Sequence, residues 1–461
     1  MIDALQPGAA PAFAIAAAVR SGEVTVAAVI DAALERIALH DSAINAFIAL
    51  IPERARARSR QLDALHRSGA PFGPLAGVPF GVKAMIDVAG ITTTAGSAIY
   101  RDAPASARDA DVVRALEAAG AVCVGALNMD EFGMGGTTEN SCFGPTRNPH
   151  DLSRTPGGSS GGAAAALAAG IVPLTVGGDG LGSIRLPASL CGVFGLRPTR
   201  GVVSDIGVLG AGGSISTLGP MARNVNDLAL THRVLCGDTD AHRRGGDALT
   251  AGIAGLRLGI AAGYFGENMD SDARDAVERV AKALSITRSV AFPEPRRARS
   301  AAIVINAAES ATDKLHLLRT RLDGFDPGTA DRFLAHALLP AQWYLQAQRF
   351  RAWHNAQVRE MFADVDVLLM PATPCAAPPI GTATLQIDGV DVPTGPTLGL
   401  FTQPLAATDC PSLSVPVGRS GQLPIGVQLF APPHREEWLF RVAARLEEIG
   451  VATAPVASAA Y

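Results

Sequence analysis

Apolar residues recur at three- and four-residue spacing through VTVAAVIDAALERIALH, with charges between them. That spacing marks an amphipathic helix, and residues 11–70 read as a helical segment. Pro71 to Ala76 forms a turn-rich break. Beyond it, short β-like runs (GVPFGVKAMIDV, AVCVGAL, IVPLTVGG, VFGLRP) alternate with helical ones. DADVVRALEAAG is one such helix, with Gly120 as its C-cap. Residues 237–255, rich in Asp, Arg and Gly, read as a surface excursion. The alternation then resumes with LRLGIAAG as strand, SDARDAVERVAKAL as helix and VDVLLMPATP as strand. A long helical region, DRFLAHALLPAQWYLQAQRFRAWHNAQVREMF, is expected to break at Pro340. LPIGVQLFAPP reads as a late strand and EEWLFRVAARLEEI as the final helix. Strands alternating with helices predict an α/β fold on a mainly parallel or mixed sheet. With no internal repeat and no linker-like stretch, residues 1–461 read as one large domain.

Composition narrows this picture. The chain is 48% hydrophobic but only 5% aromatic, and it holds 83 alanines and 49 glycines, so the core is built from small side chains. This excludes disordered, collagen-like and disulfide-scaffold proteins. A net charge of −4 gives no electrostatic reason to expect nucleic acid or an anionic membrane as partner. Six cysteines without CxxC spacing read as buried, reduced thiols and suggest neither zinc nor redox chemistry. No basic stretch precedes the alanine-rich N-terminal run, which reads as a helix and not as a signal peptide. No apolar stretch reaches the roughly 20 residues needed to span a bilayer. A cytoplasmic location is the expectation.

Candidate chemistry concentrates in residues 155–198, TPGGSSGGAAAALAAGIVPLTVGGDGLGSIRLPASLCGVFGLRP. Gly157 to Gly162 open one helix, and Gly177 to Ser183 open the next element. Three readings compete. Glycines form tight turns and serines cap helices. Backbone N–H groups at a helix N-terminus can cradle phosphate, although neither GxxxxGK[ST] nor GxGxxG is present. Or the glycines let N–H groups converge into an oxyanion hole beside a nucleophilic serine, with Ser159 and Ser183 brought together by the intervening helix and strand.

A serine nucleophile needs a base. None of the nine histidines lies near these loops; each reads as a surface residue or a satisfied core residue. Of 39 basic residues, 36 are arginine and only Lys83, Lys282 and Lys314 are lysine. Lys282 and Lys314 read as ordinary residues of surface helices. Lys83 lies in the apolar run Gly81-Val82-Lys83-Ala84-Met85-Ile86, where a charge is costly unless paired or neutral. A desolvated lysine can accept a proton near neutral pH; an arginine cannot.

The runs GVPFGVKAMIDVAGITTTAGS, LNMDEFGMGGTTENSCFGPTRNPHD, GGSSGG and GSIRLPASLCGVFGLRPTRG resemble the amidase signature family. So do LGPMARNVNDLAL, MPATP and PIGVQL, so the resemblance covers nearly the whole chain. It implies a single domain with a mixed β-sheet core wrapped by helices. Residues 1–70 would be an N-terminal helical segment, 71–235 the catalytic core, and 255–461 the rest of the sheet with the specificity region. The implied chemistry is amide hydrolysis through an acyl-enzyme, without metal or organic cofactor. Ser183 would be the nucleophile, Ser159 the bridging serine held by a cis peptide, and Lys83 the general base. Backbone N–H groups of Gly180, Leu181, Gly182 and Ser183 would form the oxyanion hole. Gly133 and Gly135 would line the substrate amide, and Asp179 and Arg185 would support the nucleophile loop.

The family pattern GTD-x-GGS is altered here, because Leu181 stands where a glycine is usual. A positive φ at leucine would be costly. Either the loop holds an ordinary φ there or the hole is distorted. Within the family, PASLCGV, DRF…LLPAQWYLQAQRFR, PATPCAAPPIG and LFTQPLA resemble the branch that hydrolyses carboxybiuret, a small carboxylated urea derivative, with a small partner protein. The resemblance to the glutamine-hydrolysing component of tRNA-dependent amidotransferases is more distant. A homo- or hetero-oligomer with a small helical partner is implied. A carboxylate would want an arginine fork; Arg332 is the candidate, with Arg319 behind it. A weakened, non-catalytic role in a complex is the remaining alternative, motivated by Leu181.

Overall fold

A computed structural model describes residues 10–210, 213–237, 249–418 and 421–457. The apolar runs become strands β1 (Phe47–Leu50), β2 (Pro79–Lys83), β3 (Val122–Leu127), β4 (Leu174–Asp179), β5 (Phe194–Arg197), β6 (Thr217–Ala222) and β7 (Leu258–Ala262). Further along come β8 (Ser289–Ala291), β9 (Val367–Pro371), β10 (Thr384–Ile387), β11 (Val390–Pro393), β12 (Ser412–Val417) and β13 (Ile425–Phe430). Eleven of them form one mixed sheet in the order β1-β3-β2-β4-β6-β5-β12-β13-β9-β7-β8, while β10 and β11 pair as a separate hairpin. Every residue of β2, β3 and β4 is buried, and so is every residue of β12 and β13. Strands covered on both faces read as continuous apolar runs, which is why β2, β3 and β4 are legible in the sequence.

Parallel pairing positions the site. β2 lies between β3 and β4 and runs parallel to both; Lys83 stands opposite Leu127, and Val82 opposite Val176. The carboxyl ends of the three strands therefore open on one edge of the sheet, as ligand-binding ends do in open α/β sheets. They deliver Lys83, the loop after Leu127 and the loop after Asp179 side by side.

The alanine and glycine content serves close packing here. All eight residues of the helix Gly161–Ala168 are buried. A Cβ at Gly162 would lie 2.6 Å from the Ala46 carbonyl oxygen and the Asn128 amide nitrogen, so only glycine lets the helix approach the β3 loop. The helix break at Pro340 is present, between Pro327–Ala337 and Ala341–Met361. Gly120 follows the helix Asp111–Ala118 with φ +95°, as a C-terminal glycine should.

Four expectations need correction or narrowing. Residues 11–70 are not wholly helical: Asn45 ends a helix at φ 57°, and Phe47–Leu50 then pairs antiparallel with β3. Strands β6 and β12 escape the sequence pattern, because their serines, threonine, glycine and prolines interrupt the apolar run. Cys236 is exposed, and Cys142 and Cys375 are half-buried, so only Cys123, Cys191 and Cys410 fit the buried-thiol expectation. Lys314 is buried within the helix Pro295–Thr320 instead of lying on its surface, whereas Lys282 is exposed. Most of the 237–255 excursion, residues 238–248, lies outside the described residues. Among the described residues, no helix is long and apolar enough to cross a membrane, and no cluster of His, Cys, Asp and Glu could hold a metal.

Candidate active site

Lys83 closes β2 and is 2% exposed. Its Nζ is hydrogen-bonded to Ser159 Oγ at 2.7 Å and reaches the Gly178 carbonyl at 3.4 Å. Ser159 follows a cis peptide bond after Gly158. Burial pulls the Lys83 pKa down from 10.5 to about 7, opposed by the charges of Asp130 and Asp179. The amine is thus poised to exchange a proton near neutrality, in hydrogen-bond contact with a serine.

Ser183 follows β4 by four residues and lines the same cavity of about 790 Å³ as Lys83 and Ser159. Asp179 organises its loop. Its carboxylate accepts the Gly182 N–H at 2.8 Å and the Ile184 N–H at 3.3 Å, and it pairs with Arg185 at 2.9 Å and Arg197 at 3.2 Å. Burial alone would raise the Asp179 pKa, but the two guanidinium groups hold it well below the usual carboxylate range. Arg185 thus stands where the sequence suggests, whereas Arg197, eighteen residues from its partner, gives no such signal.

The Gly182 N–H is occupied by Asp179, so it is directed into the loop. Among the described residues, the N–H groups of Gly180, Leu181 and Ser183 meet no protein acceptor. Leu181 is absent from the residues with positive φ; Gly182 carries that conformation at φ +128°. The leucine side chain is partly buried and packs against the apolar cluster that includes Ile215, Ile305 and Ala406. Of the two alternatives for Leu181, the ordinary φ is the observed one.

The loop after β3 forms the facing wall. Gly133 and Gly135 line the cavity. Gly133 has φ +73°, and a Cβ there would sit 3.5 Å from Ser159 Oγ. Asp130, which sequence reasoning misses, is 1% exposed. One of its carboxylate oxygens accepts the Thr138 N–H at 2.9 Å, and the other has no partner. A side chain at Gly135 or Gly158 would overlap this carboxylate. Burial raises its pKa to about 6, against the pull of the Thr138 N–H and of Lys83. Its signal is an acidic residue just before the glycine-rich run Gly133–Gly136; its burial emerges only when that run meets the loop at Gly158.

Arg332 lines the cavity from the helix Pro327–Ala337, with its Nη1 donating to the Met134 carbonyl at 3.1 Å. His336, one turn further on, lines it too. It is remote in sequence from the glycine-serine loops, and the four-residue spacing from Arg332 is the available signal. Arg319 is exposed and does not line the cavity.

A family model described as Amidase matches residues 28–440. The chain belongs to the amidase signature family. Its members hydrolyse amide C–N bonds, and this chain is an amidohydrolase of that family. It is 44% identical over 445 residues to AtzE, the 1-carboxybiuret hydrolase component of Pseudomonas sp. strain ADP, covering 94% of this chain and 97% of the relative. It is 38% identical over 468 residues to the GatA-type component of the glutamyl-tRNA(Gln) amidotransferase of Chloroflexus aurantiacus, covering 92% and 93%. A solved structure superposes with a TM-score of 0.93 at 43% identity, covering 96% of this chain and 99% of the other. That structure is described as an unexpected vestigial protein complex that reveals the evolutionary origins of an s-triazine catabolic enzyme.

Proposed function

We propose that this amidase cleaves a small linear amide or urea derivative, of the carboxybiuret or biuret kind, through an acyl-enzyme on Ser183. The observation that carries the reading is the 2.7 Å contact between a fully buried Lys83 amine and Ser159, in the cavity that Ser183 lines. Neutral Lys83 accepts the Ser159 proton as Ser159 accepts that of Ser183, whose Oγ attacks the carbonyl carbon. The oxygen that becomes negative is held by the N–H groups of Gly180, Leu181 and Ser183. The relay then runs backwards and protonates the leaving nitrogen, and water releases the acyl group by the same route. Losing one oxyanion donor costs about 3 kcal/mol in such sites. Gly133 and Gly135 flank the amide, and Arg332 stands at the rim as a substrate-contacting residue.

The identity to AtzE supports the substrate class, and the likeness to a structure described as a protein complex supports a hetero-oligomer. Ammonia release from biuret-type ureides, simple amides and glutamine tests the reading, with and without a small partner encoded nearby. Turnover of ureides is expected, abolished by Ser183→Ala and nearly abolished by Lys83→Ala. Wild-type rates in either variant contradict the mechanism. Turnover of glutamine alone contradicts the substrate class and favours the amidotransferase role that the second relative carries.

A further inference from the structure

The chain uses lysine three times, and the mechanism absorbs only Lys83. Lys314 is also buried, at 6% exposure, on the helix Pro295–Thr320. Its ammonium lies 5.2 Å from the Phe132 ring centroid. Among the described residues it makes neither a hydrogen bond nor an ion pair. A ring face is a weak partner for a buried cation, and leaving such a charge without an anion is costly. Burial accordingly pushes the Lys314 pKa down, with Asp313 acting against it.

Lys314 lines a small chamber of about 40 Å³. That is more than the roughly 10–15 Å³ that one water needs, and room for a group of a few heavy atoms. The chamber adjoins the catalytic cavity: Met85, Phe132, Gly210, Ser310 and Asp313 line both. Gly210 borders the Lys314 ammonium: a Cβ there would sit 3.7 Å from the Nζ, in ordinary van der Waals contact. Arg332, the other cation at this cavity besides Lys83, is solvent-exposed and already donates to a backbone carbonyl.

We infer that Lys314 forms an anion subsite at the inner end of the catalytic cavity and takes a carboxylate borne by the substrate. The inference rests on the reading of this cavity as the substrate site, and it deepens that reading by selecting anionic amides over neutral ones.

The test is equilibrium binding to Ser183→Ala protein by calorimetry, with two matched pairs: succinamate against succinamide, and malonamate against malonamide. A charge-assisted contact in a closed site is expected to favour each acid by about 10- to 100-fold. Adding Lys314→Met should bring each pair to within about threefold, while Arg332→Gln, at a residue proposed to contact substrate, should weaken acid and amide alike and so leave the preference in place. Met matches the length of the lysine stem, and the double variant should melt no lower than its parent. If it does not fold, Lys314→Gln serves in its place. Absence of a preference in the Ser183→Ala parent overturns the inference. So does a preference that survives Lys314→Met or disappears in Arg332→Gln, or a chain that folds with neither replacement. Because binding is read without turnover, these outcomes are separate from failure of the acyl-enzyme mechanism, which would show as turnover in Ser183→Ala.

Discussion

Replacing Lys83 with methionine keeps the length of the side chain and removes its amine. Burial sets the folded-state pKa at about 7 against an ordinary 10.5, so folding at intermediate pH must expel a proton. The sign follows from linkage. A lysine whose pKa is lowered on folding destabilises the native state fully below the folded pKa, and the penalty fades as pH rises to the unfolded value. Each pH unit in that window is worth about 1.4 kcal/mol, and the whole window about 5 kcal/mol. Loss of the Ser159 hydrogen bond and of the Asp130 counter-charge adds an offset that stays nearly constant above pH 7. The stability advantage of Lys83→Met over wild type should therefore shrink by about 1.4 kcal/mol per unit between pH 7 and 10. Urea unfolding at pH 7, 8, 9 and 10, with equal m-values for both proteins, reads this directly. A difference that is flat across the window would mean an amine of ordinary basicity, unable to serve as a base near neutrality. The same variant should be inactive, so the residue that limits stability is the one the chemistry requires.

Other variants probe the same geometry. Asp130→Asn removes the charge that supports protonated Lys83, so the acid limb of kcat/KM should move down by about one pH unit or more; a limb that stays put or rises contradicts the coupling. Asp179→Asn leaves the buried Arg185 and Arg197 without a counter-ion, and a loss of about 3–5 kcal/mol in urea unfolding is expected. Leu181→Gly keeps the backbone donor and deletes side-chain packing against the neighbouring apolar cluster, so ammonia release should stay within a few-fold; a large gain would reveal a handicapped oxyanion hole.

The parts of this fold legible in the sequence are those governed by periodicity or by rare residue types. Strands β2, β3 and β4 announce themselves because burial on both faces leaves few polar positions. Lys83 stands out because the chain elsewhere prefers arginine, and the loops at Gly157–Gly162 and Gly177–Ser183 because glycine clusters are conspicuous. The roles of those residues, however, come from the family resemblance; spacing alone leaves three readings open. What stays hidden depends on long-range assembly. Asp130 becomes a buried carboxylate only where the Gly135 and Gly158 backbones close over it. Arg197 acquires its role by facing Asp179 across the sheet. His336 and Arg332 reach the cavity because their helix docks beside the loop after β3. Lys314 looks like a surface residue because the flanking Asp313 is polar; the tertiary fold turns one residue out and buries the next.

The central claim is that Ser183 is the nucleophile and that the buried Lys83 amine activates it through Ser159. Its most direct test is peptide mapping by mass spectrometry after brief treatment with an alkyl fluorophosphonate at pH 8. A single adduct on Ser183 is expected, formed at least a hundredfold more slowly in Lys83→Ala and in Ser159→Ala. An adduct on Ser159 or elsewhere, or undiminished labelling of Ser183 without Lys83, would contradict the account.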